Sequence, residues 1–327
     1  MILFTNHNPI SWRCNPLLKL KSNLNFFSCN IFFLILAILI ISEVEHAYSS
    51  SNSEFNLAFV GDWGCTEDTK KTVESIQSHD PEIVFSLGDT SYGLDINCWL
   101  DIVDPISSNM KAVIGNHDVI VPNILYQYMD KFNITNQYYS FDEGSLHFLI
   151  MSSEFLYRPD SEQFKFIESD LINNSKNPKT KWTIVLSHRQ QYSSQCGSHE
   201  SCDPIKKLRE IYHPLFEKYK VDLLISGHSH NYQRTYPLFY NNINSSEPIF
   251  DDKKNKNFNS PKGMIQIVVG TGGIDRDRFS NLEPFIVYQD DSTYGFLNLE
   301  VSPEQDELRG IYYANNGTKM DEFVITK

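Results

Sequence analysis

From Asn56 onward, short apolar runs alternate with amphipathic stretches. The runs NLAFVGD, PEIVFSLGD, KAVIGNHD, LHFLIMSS, KWTIVLSH and VDLLISGHSH are rich in Val, Ile, Leu and Phe, and each ends in polar residues. Short continuous apolar runs with polar ends are the pattern of strands buried on both faces. Between them, helical periodicity predicts helices over residues 67–78, 122–132, 160–173 and 204–219. Alternation of the two element types predicts a layered α/β fold. Three later runs, MIQIVVGTGG, YGFLNLEV and LRGIYYA, have strand character with no helix between them. They predict a second sheet packed on the first, antiparallel toward the C-terminus. Residues 240–262 (YNNINSSEPIFDDKKNKNFNSPK) are poor in apolar residues and predict a long surface loop. Strands of the same type resume after that loop, so residues 54–327 read as one domain.

The N-terminal region departs from this pattern. Arg13, Lys19 and Lys21 precede the apolar run IFFLILAILII, and small residues come after it in EHAYSSS. Eleven apolar residues fall short of the roughly 20 needed to span a bilayer and match the core of a secretory signal. Ala47 and Ser49 offer a cleavage site near Ser50. The alternative is an uncleaved anchor, in which case the membrane is reached only through this segment. Either way residues 1–49 stand apart from the fold, and the folded part is expected outside the cytoplasm, secreted or at the cell surface.

Composition adds to that expectation. The chain carries 41 acidic and 28 basic residues, a net charge of −13. That balance lacks the basic footprint of a nucleic-acid binder, so nucleic acid is not an expected partner. Four cysteines lie beyond the N-terminal segment: Cys65, Cys98, Cys196 and Cys202. An even number in an exported chain points to two disulfides. Pairing Cys196 with Cys202 would close a short loop and leave Cys65 with Cys98. A four-cysteine zinc site is the rival, although these spacings do not resemble its usual ones. Glycosylation sequons stand at Asn133, Asn173, Asn244 and Asn316.

The chemistry lies in the polar residues that end each apolar run. Asp62 comes after the first, Asp89 and Tyr92 after the second, and Asn116 and His117 after the third; His188, then His228 and His230, come after later ones. Ligand sites of open α/β sheets form at strand C-termini. Carboxylates, an amide, a phenol and imidazoles would therefore converge at one sheet edge, a donor set suited to Zn, Fe or Mn. An Asp at a tight turn can bridge two such ions. Any one of these motifs alone reads more readily as a turn or helix cap than as a ligand; five of them in order, each after a strand, do not.

GDWG, GDTSY, GNHD, LSHR and GHSH resemble, in order, the five blocks of the calcineurin-like metallophosphoesterases, and more narrowly the purple acid phosphatases. The resemblance covers about Leu57 to Tyr313, and GHSHNYQRTYPLF is especially similar to the last block of that subfamily. It implies an α/β fold of four layers, α/β/β/α, with two packed mixed sheets flanked by helices. The fibronectin-like N-terminal domain of the large plant enzymes is not expected, since the first motif lies almost directly after the N-terminal segment. The resemblance further implies one metal held by Asp62, Asp89, Tyr92 and His230, and a second held by Asp89, Asn116, His188 and His228. Generic members place a histidine two residues after the first aspartate, where this chain has Gly64. In the purple subfamily that glycine accompanies a tyrosine three residues after the bridging aspartate, which is Tyr92. Phenolate in place of imidazole implies Fe(III) in the first site, with Fe(II), Zn or Mn in the second.

The implied activity is an acid phosphatase, hydrolysing phosphate monoesters by attack of a metal-activated hydroxide. Small phosphorylated compounds or phosphoproteins would be its substrates. His117 is the candidate acid for the leaving alkoxide. His199, in the loop after RQQYSSQC, is a candidate substrate contact, although Gln190 stands where proline is usual. His79, His147 and His213 lie in no motif and read as structural, and GTGG (residues 270–273) reads as a tight turn beside the site. Two further readings are a phosphodiesterase or nucleotide pyrophosphatase on the same frame, and a cell-surface binding protein without activity.

Overall fold

Thr66 and Ser161 show why the helices start where the periodicity places them. Each side chain accepts a hydrogen bond from a backbone N–H of the first turn, from Thr69 and Phe164 respectively. The computed structural model describes residues 55–194, 202–251, 256–302 and 304–327. In chain order the elements are β1 (Phe55–Val60), α1 (Glu67–His79), β2 (Ile83–Ser86), α2 (Asn97–Val103), β3 (Met110–Ala112), α3 (Asn116–Ile120) and α4 (Pro122–Lys131). Next come β4 (Tyr139–Glu143), β5 (Leu146–Ile150), α5 (Glu162–Asn174), β6 (Trp182–Ser187), α6 (Asp203–Lys218), β7 (Leu223–Ser226) and β8 (Tyr232–Thr235). The rest is strand: β9 (Leu238–Phe239), β10 (Ile249–Phe250), β11 (Asn257–Asn259), β12 (Ile265–Val269), β13 (Ile286–Asp290), β14 (Gly295–Val301), β15 (Glu307–Ala314) and β16 (Lys319–Thr326).

Two seven-stranded mixed sheets result, ordered β11-β16-β15-β14-β1-β2-β3 and β13-β8-β12-β7-β6-β5-β4. Their inner faces share one core. Phe85 of the first sheet lies 4.9 Å, ring to ring, from Phe148 of the second, and Tyr232 stacks on Tyr312 at 4.1 Å. Helices α5 and α6 cover the outer face of the second sheet through Ile167, Leu171, Leu208, Tyr212 and Phe216. On the first sheet, α1 packs its His79 ring against Phe296 and Tyr313. The fold is thus the expected α/β/β/α sandwich.

Sheet membership differs from the expectation. The late runs do not found the second sheet. Strands β14, β15 and β16 form an antiparallel meander that joins the first sheet at β1, with Phe59 opposite Leu297, whereas β12 runs parallel to β7 in the second. A buried apolar run carries no mark of which free edge it will pair with. Strands β4, β8, β13 and β16 leave no clear apolar run in the sequence, because polar residues break up their content. GNHD opens the short helix α3 rather than closing a long strand.

Cys65 and Cys98 are bonded, with Cα atoms 5.9 Å apart. Cys202 is also disulfide-bonded; Cys196, expected as its partner, lies outside the described residues, as do His199 and residues 1–49. Asn133, Asn173, Asn244 and Asn316 are all exposed. Among the described residues no helix is long and apolar enough to cross a membrane.

The three histidines outside the motifs make local hydrogen bonds. His213 meets the Tyr192 hydroxyl at 2.6 Å and His79 the Ser75 carbonyl at 2.8 Å. His147 of β5 lies between Asp142 of β4, at 2.6 Å, and Asp170 of α5, at 2.7 Å. Burial opposes a charge on His147, but the two carboxylates outweigh it and raise the imidazole above its usual value. A raised folded-state value gives stability that is complete below the unfolded value of about 6.5 and is lost as pH climbs through the folded one. His147→Gln is therefore expected to cost about 1–2 kcal/mol at pH 5 and clearly less at pH 9. Urea unfolding at the two pH values measures this, and equal losses would rule out a charged bridge.

Candidate metal centre

Four strands of the two sheets, β1, β2, β6 and β7, run directly into turns that carry polar side chains. Asp62, Asp89, Tyr92 and His228 all adopt positive φ, from 55° to 72°. They are four of the nine non-glycine residues that do so among the described residues. Left-handed backbone is sterically unfavourable for a Tyr or His and collects at functional sites. The turns also pack against one another. A Cβ on Gly115 would run into the Asp89 carboxylate, so only glycine lets the third turn approach the second this closely.

The side chains gather in two groups. In the first, the Tyr92 hydroxyl donates to Asp62 Oδ1 at 3.0 Å and meets His230 Nε2 at 3.0 Å, and His230 Nε2 lies 3.6 Å from Asp62 Oδ1. In the second, Asn116 Oδ1 meets His188 Nε2 and His228 Nδ1 at 3.0 Å each, and His188 Nε2 lies 3.3 Å from Asp89 Oδ2. One ligand atom each from Asp62, Asp89 and His188 falls within 4.8 Å of the others, so the groups meet at the two carboxylates. The first group brings together Asp62, Tyr92 and His230, and the second Asp89, Asn116, His188 and His228. His117 stands at the rim. Its backbone N–H donates to Asp89 Oδ1 at 2.8 Å, and its half-buried ring lies 4.3 Å from that of Tyr92.

This arrangement buries negative charge beside imidazoles. Asp62 and Asp89 are almost fully buried. Burial pushes the Asp62 carboxyl up to about 6, against the pull of His188 and His230. Burial also works against Asp89, but His188 and His117 hold it below the usual carboxylate range. His188 is pushed up to about 10: burial opposes its charge, and Asp89 outweighs burial. Burial, then Asp62 and Asp89, raise the Tyr92 phenol well above 10. Oxygen and imidazole donors around buried anions are the chemistry of a transition-metal site, and these residues fit one.

The Asp62 turn also accounts for Gly64. Residue 64 has φ of 70°, and a Cβ there would lie 3.2 Å from Ile274 Cδ1. A histidine would be strained at that position, while the Tyr92 hydroxyl already reaches Asp62 and His230. The GTGG turn packs behind, Gly272 N–H donating to the Gly61 carbonyl at 2.9 Å.

Several supporting residues carried no signal of their own in the sequence. Asp118, the last letter of GNHD, is fully buried. It accepts from the backbone N–H groups of Asp89, Thr90 and Gly115 and from the Thr90 hydroxyl, at 2.8 to 3.0 Å. His188 Nδ1 rests on the Leu87 carbonyl and His230 Nδ1 on that of Asp275. Arg189 Nη1 lies 2.9 Å from His228 Nε2, and Glu154 holds the same guanidinium. Gln190 fills the expected proline position and donates to Ser229 Oγ at 2.7 Å.

The fold and site define a metallophosphoesterase. The calcineurin-like phosphoesterase family matches residues 55–232, and the chain belongs to it. Within the family it is similar to purple acid phosphatases. It is 30% identical over 319 residues to "Probable inactive purple acid phosphatase 1" of Arabidopsis thaliana, covering 89% of this chain and 50% of that protein. A purple acid phosphatase from yellow lupin, PPD1, superposes with a TM-score of 0.71 at 27% identity, covering 84% of this chain and 54% of that one. A barley protein, "Nucleotide pyrophosphatase/phosphodiesterase", is 27% identical over 294 residues, 80% of this chain and 76% of that protein. The chain spans about half the length of the purple acid phosphatases it matches.

Asp118→Ala would leave three buried N–H groups without their acceptor. It is expected to lower stability by about 3 kcal/mol or more and to abolish metal uptake. Denaturant unfolding and metal analysis of the refolded protein check both.

Proposed function

We propose that this chain is a binuclear-metal acid phosphatase acting on phosphate monoesters. The observation that carries the reading is the pair of donor groups meeting at Asp62 and Asp89, with the Tyr92 hydroxyl against both Asp62 and His230. Asp62, Asp89, Tyr92 and His230 would hold one ion, and Asp89, Asn116, His188 and His228 the other. Bound there, a metal pair supplies Lewis acidity toward a phosphate ester and toward water. Burial, and after it the neighbouring carboxylates, disfavour a phenolate at Tyr92, so that donor calls for a strongly acidic cation and supports Fe(III) in the first position. Fe(II), Zn or Mn suits the second.

The remaining roles belong to the chain itself. His117 is fixed by its backbone N–H on Asp89, packs its ring on Tyr92 and is half-buried. It would hold a proton for the departing alkoxide. Asp118 and the left-handed turns keep the donors in position. His199 is assigned to substrate contact, on the strength of its place in the loop after His188. Export of the chain, with residues 1–49 as its signal or anchor, is supported by the disulfide and the exposed sequons.

The rival readings come from the names of the relatives, one called probably inactive and another a phosphodiesterase. The complete donor set argues against simple loss of activity. The purified protein is expected to show a broad visible band from Tyr92 and Fe(III), which Tyr92→Phe abolishes. An active, colourless protein holding two zinc ions would overturn the ferric assignment alone. At about pH 5, below the usual histidine value, turnover of an aryl phosphate monoester should exceed that of the diester. The reverse preference would favour the phosphodiesterase reading, and no turnover of either with no bound metal would favour a binding protein.

A further inference from the structure

The two sheets end side by side, at β3 in the first and β4 in the second. The Tyr139 hydroxyl of β4 donates to the Ala112 carbonyl of β3 at 2.9 Å and ties the two end strands together. Beside this junction, where α4 connects to β4, lies a cavity of about 340 Å³ lined by Lys111, Asn133, Thr135, Tyr138, Tyr139 and Phe141. The three aromatic residues are half-buried and anchored in the fold: Tyr138 packs on Phe166 at 5.2 Å, and Phe141 on Phe148 at 5.1 Å. Lys111 Nζ lies 5.3 Å from the centre of the Phe141 ring. A preformed hollow of aromatic side chains with a few polar groups is the usual form of a small-ligand site.

Asn133 and Thr135 are the first and third residues of the sequon Asn133-Ile134-Thr135, and both are exposed. Asn133 also ends α4. Its φ is 50°, its N–H donates to the Asp130 carbonyl at 3.1 Å, and the Ile134 N–H donates to that of Met129 at 2.9 Å. These two bonds form the Schellman arrangement that stops a helix, with asparagine in the left-handed position. The acceptor asparagine is therefore fixed by hydrogen-bonded backbone at the wall of the cavity.

We propose that Asn133 carries an N-linked glycan whose first N-acetylglucosamine residue occupies this cavity and covers the adjoining sheet edges. The inference rests on export of the chain and is independent of the metal centre. Attachment joins Asn133 Nδ2 to the anomeric carbon of an oligosaccharide, displaces its lipid pyrophosphate carrier and releases one amide proton. The apolar face of the pyranose and the acetamide methyl suit the tyrosine and phenylalanine rings. The Lys111 ammonium supplies donors for the sugar oxygens. A short covalent link holds the sugar at high effective concentration, so weak ring contacts suffice. End strands expose unpaired backbone groups that other chains can extend; a glycan seated here shields β3 and β4 together.

The full chain, secreted from a eukaryotic host, is first mapped by glycopeptide mass spectrometry, and Asn133 is expected to be occupied. Trimming with an endoglycosidase that leaves one N-acetylglucosamine should leave Tm unchanged. Thr135→Ala keeps Asn133 in its turn but prevents glycosylation, and should lower Tm by about 2–4 °C. Thr135 itself lines the cavity, so the same change is also made in a Tyr138→Ala background. A seated sugar makes the loss clearly smaller there. In the trimmed protein, NMR should show contacts between the acetamide methyl and the ring protons of Tyr138 or Tyr139. An unoccupied Asn133 in a protein glycosylated elsewhere would overturn the modification. An occupied Asn133 whose sugar shows no ring contacts, or an equal cost of Thr135→Ala in both backgrounds, would overturn the seat. A chain retained in the cell with all four sequons bare would overturn export as well.

Discussion

Two carboxylates, Asp62 and Asp89, are buried side by side where neighbouring strands end, and the rest of the site is organised around holding them there. Buried anions repel one another and lose hydration, so the fold must supply both geometry and compensating charge. Geometry comes from left-handed turns after β1 and β2, pinned by backbone hydrogen bonds such as Asp62 N–H to the Gly88 carbonyl and Trp63 N–H to that of Asp89. Compensation comes from the imidazoles that β6 and β7 deliver from the other sheet. The two sheets are therefore a means of bringing opposite charges to one edge as well as a shared apolar core.

Asp118 shows how much depends on that edge. A third buried carboxylate beside two others is electrostatically costly, and burial and Asp89 raise its pKa. It is nonetheless surrounded by donors, which tie the turn after β2 to the start of α3. Asn116 and His117 occupy the first turn of the same short helix, so one side chain fixes a candidate ligand, the candidate acid and the Asp89 turn together. On the opposite side, Arg189 and Glu154 form a buried ion pair beneath His228. Pairing the cation with the carboxylate offsets the cost of burying each.

Much of the site was legible in the linear order of residues. Strands buried on both faces need unbroken apolar runs, so polar residues that interrupt the pattern at strand ends stand out. The seven candidate donors emerge this way, whereas the link between Gly64 and Tyr92 came only from the resemblance to purple acid phosphatases. The supports leave no such trace. A carbonyl under His188, the carboxylate of Asp118 and the contact of Arg189 with His228 depend on distances between segments as far as 101 residues apart, and every turn has polar residues that look the same.

The sequence by itself determined the four long helices, the strands with unbroken apolar runs and the α/β layering, and it marked the candidate donors, because local periodicity and residue chemistry carry that information. Tertiary structure decided which sheet each late strand joined, since an apolar run pairs with whichever edge the connecting loops and inner-face packing leave open. It also decided how the donors divide into two groups, and that His228, unlike its two companions, faces an arginine. Such choices depend on which atoms meet across the sheet edge, a distance that no one-dimensional pattern contains.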